Sequence, residues 1–176
     1  MNSIEINIEK RKLKDEEIDV LVEEIKKFPN PITGKKSWKT FEKVYIAKTI
    51  QNDFIGVCGT KKLTNWIKIG PFVVFEKYQG KGFGKKILDV LVGDYPQDNL
   101  FIGSRSKAVA KIAIKLGFNE IKNILNVPNE IRWYLFTYIF ENLSVEFFKE
   151  CMRKKPTSEG PYRYFVRRKE GYFGQG

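Results

Sequence analysis

The sequence contains no histidine. That removes the commonest metal ligand and the side chain that most often moves protons near neutral pH. Its two cysteines, Cys58 and Cys151, are too few for a disulfide framework and, without histidine, supply no ordinary zinc ligand set. Cys58 lies in the apolar stretch Phe54–Cys58 and reads as a buried thiol rather than a nucleophile. No apolar run approaches the ~20 residues that span a bilayer, and the N-terminus lacks a signal-peptide pattern. Cytoplasmic residence is the resulting expectation. No repeat, low-complexity tract or linker divides the 176 residues, so one domain is expected over 1–176.

Positive charge, in contrast, is plentiful. There are 32 Lys and Arg against 21 Asp and Glu, a formal net charge of +11. Such a balance suits polyanionic ligands, acidic substrates or nucleic acid. With 42% apolar and 14% aromatic residues the composition is that of a packed globule, not a disordered chain.

The most informative stretch is Gln79-Gly80-Lys81-Gly82-Phe83-Gly84. An apolar run, Ile67 to Phe75, precedes it and reads as a strand. Ile87, Leu88, Leu91 and Val92 follow on one helical face. The glycines therefore sit in a strand-to-helix turn. A helix N-terminus leaves backbone N–H groups unpaired, and together with the helix dipole these favour an anion, typically phosphate. Lys77, Lys81, Lys85 and Lys86 surround the turn, with Glu76 the one nearby acid. A plain tight turn with solvated lysines is the alternative. The dinucleotide fingerprint fails because Lys85 stands where its third glycine belongs. The P-loop fails because no Gly-Lys-Ser/Thr follows Gly80 at the required spacing.

What remains is Gln-x-x-Gly-x-Gly, formed by Gln79, Gly82 and Gly84. It resembles the acyl-CoA signature of the GNAT acyltransferase superfamily. The stretch Ile69 to Gly84 looks like that family's fourth strand and pyrophosphate loop, and Ser106 to Phe118 like its next conserved segment. The resemblance covers about Phe54 to Phe118. It implies an α/β fold: a mixed, mostly antiparallel twisted sheet with flanking helices, here with a helical insert near 128–156 before the last strand. It also implies acetyl-CoA as co-substrate, no metal, and an amine acceptor, either a small molecule or a protein or peptide amine. In that family the fourth and fifth strands splay apart with the pantetheine arm between them, so backbone groups near Val73, Val74 and Phe75 would hold the arm. Gln79, Gly80, Lys81, Gly82, Phe83, Gly84 and Lys85 would hold the diphosphate, and Ser106 could keep a pantetheine contact beside its role as a helix cap.

Along the chain, Ser3–Glu9 alternates as a strand. Asp15 can cap a helix to about Lys27 with Ile18, Leu21, Val22 and Ile25 inward. Ser37 can cap a short helix carrying Trp38, a core anchor or a wall of the acceptor cleft. Val44–Ile50 and Phe54–Gly59 read as a hairpin, with Thr60–Asn65 a polar connection. A helix ending near Gly93 and a strand Asn99–Ile102 follow. The next helix places Val109, Ile112, Ala113 and Leu116 inward, with Gly117 after its end. Asn119–Leu125 suggests a strand. Asn129 and Ser144 can each cap a helix, the first with Ile131, Leu135 and Tyr138 inward. Tyr162–Arg167 alternates as a strand, and 171–176 reads as a frayed tail.

The resembled family usually has a tyrosine acid where Ala113 stands, and an acidic residue early in the fourth strand, which is not evident here; Lys68 lies in that neighbourhood. No catalytic residue is therefore assigned. Tyr134, Tyr138, Glu120 and Glu130 are groups the fold could bring to the cleft. An acyl-CoA-binding sensor or regulatory module of the same fold is the alternative function, motivated by Ala113. A nucleic-acid-binding reading rests on Lys149, Arg153, Lys154, Lys155, Arg163, Arg167, Arg168 and Lys169 interleaved with Tyr162, Tyr164 and Phe165. An amphipathic strand gives the same pattern.

Overall fold

The computed structural model of the protein describes residues 5–28, 34–41, 43–141 and 161–169, with side chains to 137 in the third of these segments. The chain runs β1 (Ile6–Arg11), α1 (Asp15–Ile25), α2 (Lys35–Lys39), β2 (Val44–Thr49), β3 (Phe54–Lys62) and β4 (Trp66–Val74). It continues through α3 (Phe83–Gly93), β5 (Asn99–Ser104), α4 (Lys107–Lys115), β6 (Asn119–Ile121), α5 (Asn129–Glu141) and β7 (Arg163–Arg167). Among the described residues, seven strands form one sheet in the order β1-β2-β3-β4-β5-β7-β6. β4 and β5 pair in parallel; the remaining neighbours are antiparallel. The mixed, mostly antiparallel α/β architecture expected from the sequence is the one found.

Side chains alternate across a strand, so the apolar run of β4 serves two cores. Ile67 and Ile69 join Leu100 and Ile102 of β5 in the larger core, with Ile18 and Leu21 of α1 and Ile87, Leu88 and Leu91 of α3. Trp66 and Phe101 face the other way, into a smaller cluster with Val127, Ile131 and Val166 under α5. Lys68, two residues from Trp66, shares that second face.

Several boundaries differ from the sequence expectation for identifiable reasons. β1 extends to Arg11 because its pairing with β2 runs to Arg11↔Val44. α1 has Lys14 at its cap position: Glu17 reaches back to accept the Lys14 N–H at 2.8 Å, while Asp15 pairs with Lys39 at 2.8 Å. α2 is capped at Gly34, which places Ser37 inside the helix. Thr60–Lys62 belongs to β3, not to a connection; the tight link Leu63 N–H to Trp66 C=O, 2.8 Å, carries the ladder through these polar residues. β6 stops at Ile121, and a 3₁₀ turn, Ile124–Asn126, follows with the Asn123 side chain accepting the Leu125 N–H at 2.9 Å. In α4, Ala110 and Ala113 are fully enclosed, while Val109, Ile112 and Leu116 pack at the core margin. α5 turns Ile131 and Leu135 inward as expected. The Tyr138 side chain, the second helix expected after Ser144 and the tail 171–176 lie outside the described residues.

Candidate functional site

β4 and β5 begin as a parallel pair and then part. Their register runs from Trp66↔Asn99 to Ile69↔Ile102. Beyond that point β4 continues to Val74 against β3 alone, while Gly103 and Ser104 of β5 continue against β7. A fork opens between two neighbouring strands inside the sheet, with its apex at Gly70. The register shift between Cys58 and Thr60 sets Gly59 of β3 opposite both Gly70 and Pro71, a bulge that bends β4 where the fork begins. Gly70 has φ +119, a conformation that excludes residues with a Cβ at little strain.

The bulge decides which backbone groups face the gap. The Phe75 N–H donates to the Ile55 carbonyl at 2.9 Å, so Phe75 faces β3. In an antiparallel ladder successive residues face the partner and turn away from it alternately. Val73, opposite Val57, thus also faces β3, while Phe72 and Val74 direct N–H and C=O into the fork. The Val74 carbonyl there accepts from the Gln79 side-chain amide at 3.0 Å.

Past the fork the chain makes a 3₁₀ turn, Glu76–Tyr78, and enters α3 through the glycines. Gly80 and Gly82 have φ of +73 and +83, which is why glycine is needed at both. The first helical bond is Lys86 N–H to Gly82 C=O at 3.2 Å. The N–H groups of Phe83, Gly84 and Lys85 consequently have no helical acceptor. A Cβ at Gly84 would lie 3.3 Å from the Phe72 ring, so this glycine brings α3 down onto the open strand. α1 fixes the start of the turn: the Glu24 carboxylate accepts the Glu76 N–H at 2.7 Å and pairs with Lys27 at 2.6 Å. Burial pushes the Glu24 pKa up, but these donors outweigh it and the net shift is downward. Of the lysines around the turn, Lys85 is drawn to Asp89 at 2.5 Å, and Lys77 and Lys81 sit over the Tyr78 ring at 4.8 and 5.7 Å.

On the α5 face of the fork, Lys68 places Nζ 3.4 Å from the Gly70 carbonyl oxygen and 5.6 Å from the centre of the Tyr134 ring. Burial lowers its pKa to about 8. Across the fork the Tyr162 ring covers Gly103, where a Cβ would lie 2.6 Å from it.

The family model described as "Acetyltransferase (GNAT) family" matches residues 14–118, more than half of the chain. The chain belongs to the GNAT acetyltransferase family. No curated protein matches it. Among solved structures it is similar to a GNAT-family acetyltransferase from Staphylococcus aureus Mu50, at 17% identity over 93% of this chain and 98% of that one, with a TM-score of 0.59. It is also similar to the ribosomal-protein-S18-alanine N-acetyltransferase of Escherichia coli, at 14% identity over 92% and 91%, TM-score 0.58. A third is N-acetylglutamate synthase from Neisseria gonorrhoeae, complexed with coenzyme A and N-acetyl-glutamate, at 14% identity over 93% of this chain and 35% of that one, TM-score 0.65. At these identities the likeness is one of fold.

Within this GNAT domain the residues singled out in the sequence divide by backbone phase. Gln79 to Lys85 form the turn together, as expected of contiguous residues. Val74 borders the fork with its backbone; the Phe75 N–H is committed to β3 and the Val73 backbone turns the same way. Phe72 was missed, although Gly70-Pro71 inside an apolar run is the signal of a bulge that resets the alternation. Ser106 caps α4, its hydroxyl accepting the Val109 N–H at 3.4 Å. Ala113 is wholly buried. Trp38 is buried against Phe41, the core-anchor reading. Glu130 is held by Asn65, accepting its N–H at 3.1 Å, and Glu120 by Arg163 at 2.6 Å. Arg167 donates to the carbonyls of Val92 and Tyr95 at 3.4 and 3.1 Å, and Arg168 lies 5.8 Å from the centre of the Trp66 ring. These contacts account for three arginines of the basic-aromatic segment as parts of a packed strand. Lys149, Arg153, Lys154 and Lys155 lie outside the described residues. Among the described residues no helix is long and apolar enough to cross a membrane.

Proposed function

We propose that the protein transfers the acetyl group of acetyl-CoA to a primary amine by direct attack. The observation that carries this reading is the fork between β4 and β5, which leads straight to the uncommitted N–H groups at the start of α3. A pantetheine arm is an extended chain of amides. It fits an edge that offers N–H and C=O groups at Phe72 and Val74, much as an added strand would. The Gln79 amide, now on the Val74 carbonyl, would have to yield or share it. The diphosphate would rest on the amides of Gly80 to Lys85, favoured by the α3 dipole and by Lys81. Val73 and Phe75 then contribute packing, and Ser106 a hydroxyl beside the arm while still capping α4.

With the diphosphate at α3, the thioester lies toward the apex. Pro71 has no N–H, so Phe72 is the first donor past the bulge that faces the gap. An oxyanion formed there by amine attack would be held by that donor, and one such bond is worth roughly 2.7–4 kcal/mol. No metal enters this reaction, and we place it in the cytoplasm, where acetyl-CoA is at hand.

A sensor that binds acyl-CoA without turnover is the second reading, favoured by Ala113, which has no proton to give. Both are tested by calorimetric titration with acetyl-CoA, followed by thiol release in the presence of a panel of amines. Thiol release that depends on an added amine supports the transferase. Binding with no release on any amine supports the sensor, and no binding refutes both.

A further inference from the structure

If the fork is where acetyl transfer occurs, the reaction needs a proton carrier at its apex. The chain has no histidine, and the enclosed Ala113 cannot serve. Lys68 stands at that apex. It is the cross-strand partner of Phe101, one step before the last β4–β5 pair, and Gly70 follows two residues later. A Cβ built at Gly70 would lie 4.0 Å from Lys68 Nζ, and the Gly70 carbonyl oxygen lies 3.4 Å from it. The Tyr134 ring, 5.6 Å away, lies over the ammonium position from α5.

We propose that Lys68, as a neutral amine, accepts the proton lost by the attacking amine and returns it, as an ammonium, to the departing thiolate. This rests on the transferase reading above. The acceptor nitrogen forms a bond to the acetyl carbon, the carbon–sulfur bond breaks, and sulfur keeps that electron pair. One proton passes from the acceptor nitrogen to Lys68 Nζ and then to sulfur. Lys68 ends as it began, so the cycle needs no further reactant.

The surroundings support a lysine that titrates near neutrality. Burial is the main cause of its lowered pKa of about 8, opposed by the charge of Cys58 when that thiol ionises. The Cys58 pKa is itself pushed up by burial, so the thiol stays neutral. Around Lys68 are Cys58, the thiol whose charge it senses, Lys61, its partner across β3, Tyr134 on α5, and Phe101, its partner on β5, on which Tyr164 of β7 stacks at 6.2 Å; Glu130 lies one turn before Tyr134. Lys61 carries like charge, and the Glu130 carboxylate is engaged by Asn65. A thiol titrates ordinarily near 8.5, so proton return from such a lysine is close to balanced, the condition under which a single group serves both as acid and as base.

The test uses the full chain, acetyl-CoA, and an acceptor panel of the twenty amino acids, spermidine and free-N-terminal tetrapeptides, read by thiol release. Wild-type kcat should rise with pH through a limb near 8 that keeps its place when the acceptor is exchanged. Lys68→Met should lower kcat by about 10²–10⁴-fold and remove that limb, with the acetyl-CoA Kd within threefold of wild type. Lys68→Arg keeps the charge but cannot lose its proton, and should give no rescue. Should Lys68→Met fail to bind acetyl-CoA, Lys68→Arg carries the test alone. A limb near 8 that persists in the variants, or full activity in Lys68→Arg, overturns the proposal while leaving the transferase intact. Wild-type protein that turns over no acceptor removes the transferase reading, and the proton relay with it.

Discussion

A negative charge placed at the start of α3 should separate coenzyme binding from folding. Gly82 is the residue to change. It sits at the helix cap with φ +83 and ψ −4, and no atom lies within 4 Å of a Cβ built on it. Gly82→Asp therefore meets no steric block. The cost is backbone strain of roughly 1–2 kcal/mol, and aspartate tolerates this region better than most residues. Against it stands the favourable interaction of a carboxylate with the helix N-terminus, about 0.3–1 kcal/mol. Net destabilisation should be on the order of 1 kcal/mol, a fall in Tm of roughly 2–4 °C. Binding is affected far more. The new carboxylate takes the N–H groups meant for the diphosphate and repels it. One like-charge pair at ~5 Å with an effective dielectric constant of ~20 costs about 3 kcal/mol, or more than a hundredfold in affinity.

Calorimetric titration with acetyl-CoA reads this loss, and competition by acetyl-pantetheine, which lacks the diphosphate, is the control. Gly82→Asp should weaken acetyl-CoA at least a hundredfold and leave acetyl-pantetheine nearly unchanged. Raising the salt concentration should weaken wild-type binding more than binding by the variant. Unchanged acetyl-CoA affinity in a folded variant would refute the placement of the diphosphate. Equal losses for both ligands would mean that the substitution acts through the fold instead.

Three further substitutions probe the supports of the site. Gly56→Ala places a Cβ 2.5 Å from the Val73 carbonyl oxygen and 3.0 Å from Val74 Cα, so β3 must move away from the open strand. We expect a loss of about 1–3 kcal/mol in urea denaturation together with weaker acetyl-CoA binding; a wild-type midpoint would contradict the contact. Glu24→Ala leaves the Glu76 N–H without its acceptor and should cost about 1–3 kcal/mol by the same measurement, with acetyl-CoA affinity falling as the turn loosens. The third is a pH effect. The Arg11 guanidinium, with Lys48 and the Lys14 N–H, holds the Glu17 pKa at about 2, below its ordinary 4.5 and against the opposing effect of burial. A lowered carboxylate pKa stabilises the fold fully above about 4.5, and that contribution fades as pH falls toward 2. With the Glu17 side chain 12% exposed, its size is about 2–3 kcal/mol. Melting curves from pH 6 to 3 should fall more steeply for wild type than for Glu17→Gln, and parallel curves would refute the assignment.

How far the site was legible depends on whether a feature is set by neighbours in sequence. The turn was legible because its causes are local: glycines at positive φ, apolar residues at helical spacing after them, an apolar run before them. The fork had no such local signal and followed only from the family resemblance, because it requires β5 to follow β4 over four residues and then follow β7, a choice made between strands far apart in the chain. Lys68 was visible as a charge interrupting an apolar strand, in the neighbourhood where the resembled family carries an acidic residue. Its lowered pKa comes from burial, which is supplied by elements far from it in the chain. The case of Phe72 lies between these. Strand alternation alone is a two-state choice, and one extra residue inverts it. Gly70-Pro71 supplies that residue: proline cannot donate to the ladder, and glycine admits the bend. Counting the phase backward from Phe75, whose N–H is bound to Ile55, and forward from the bulge leads to the same pair, Phe72 and Val74. If an acyl carrier lines this edge, its amides must meet those two residues, and a ligand-bound crystal structure with hydrogen bonds to Val73 or Phe75 instead would mean that the bulge shifts when the ligand enters.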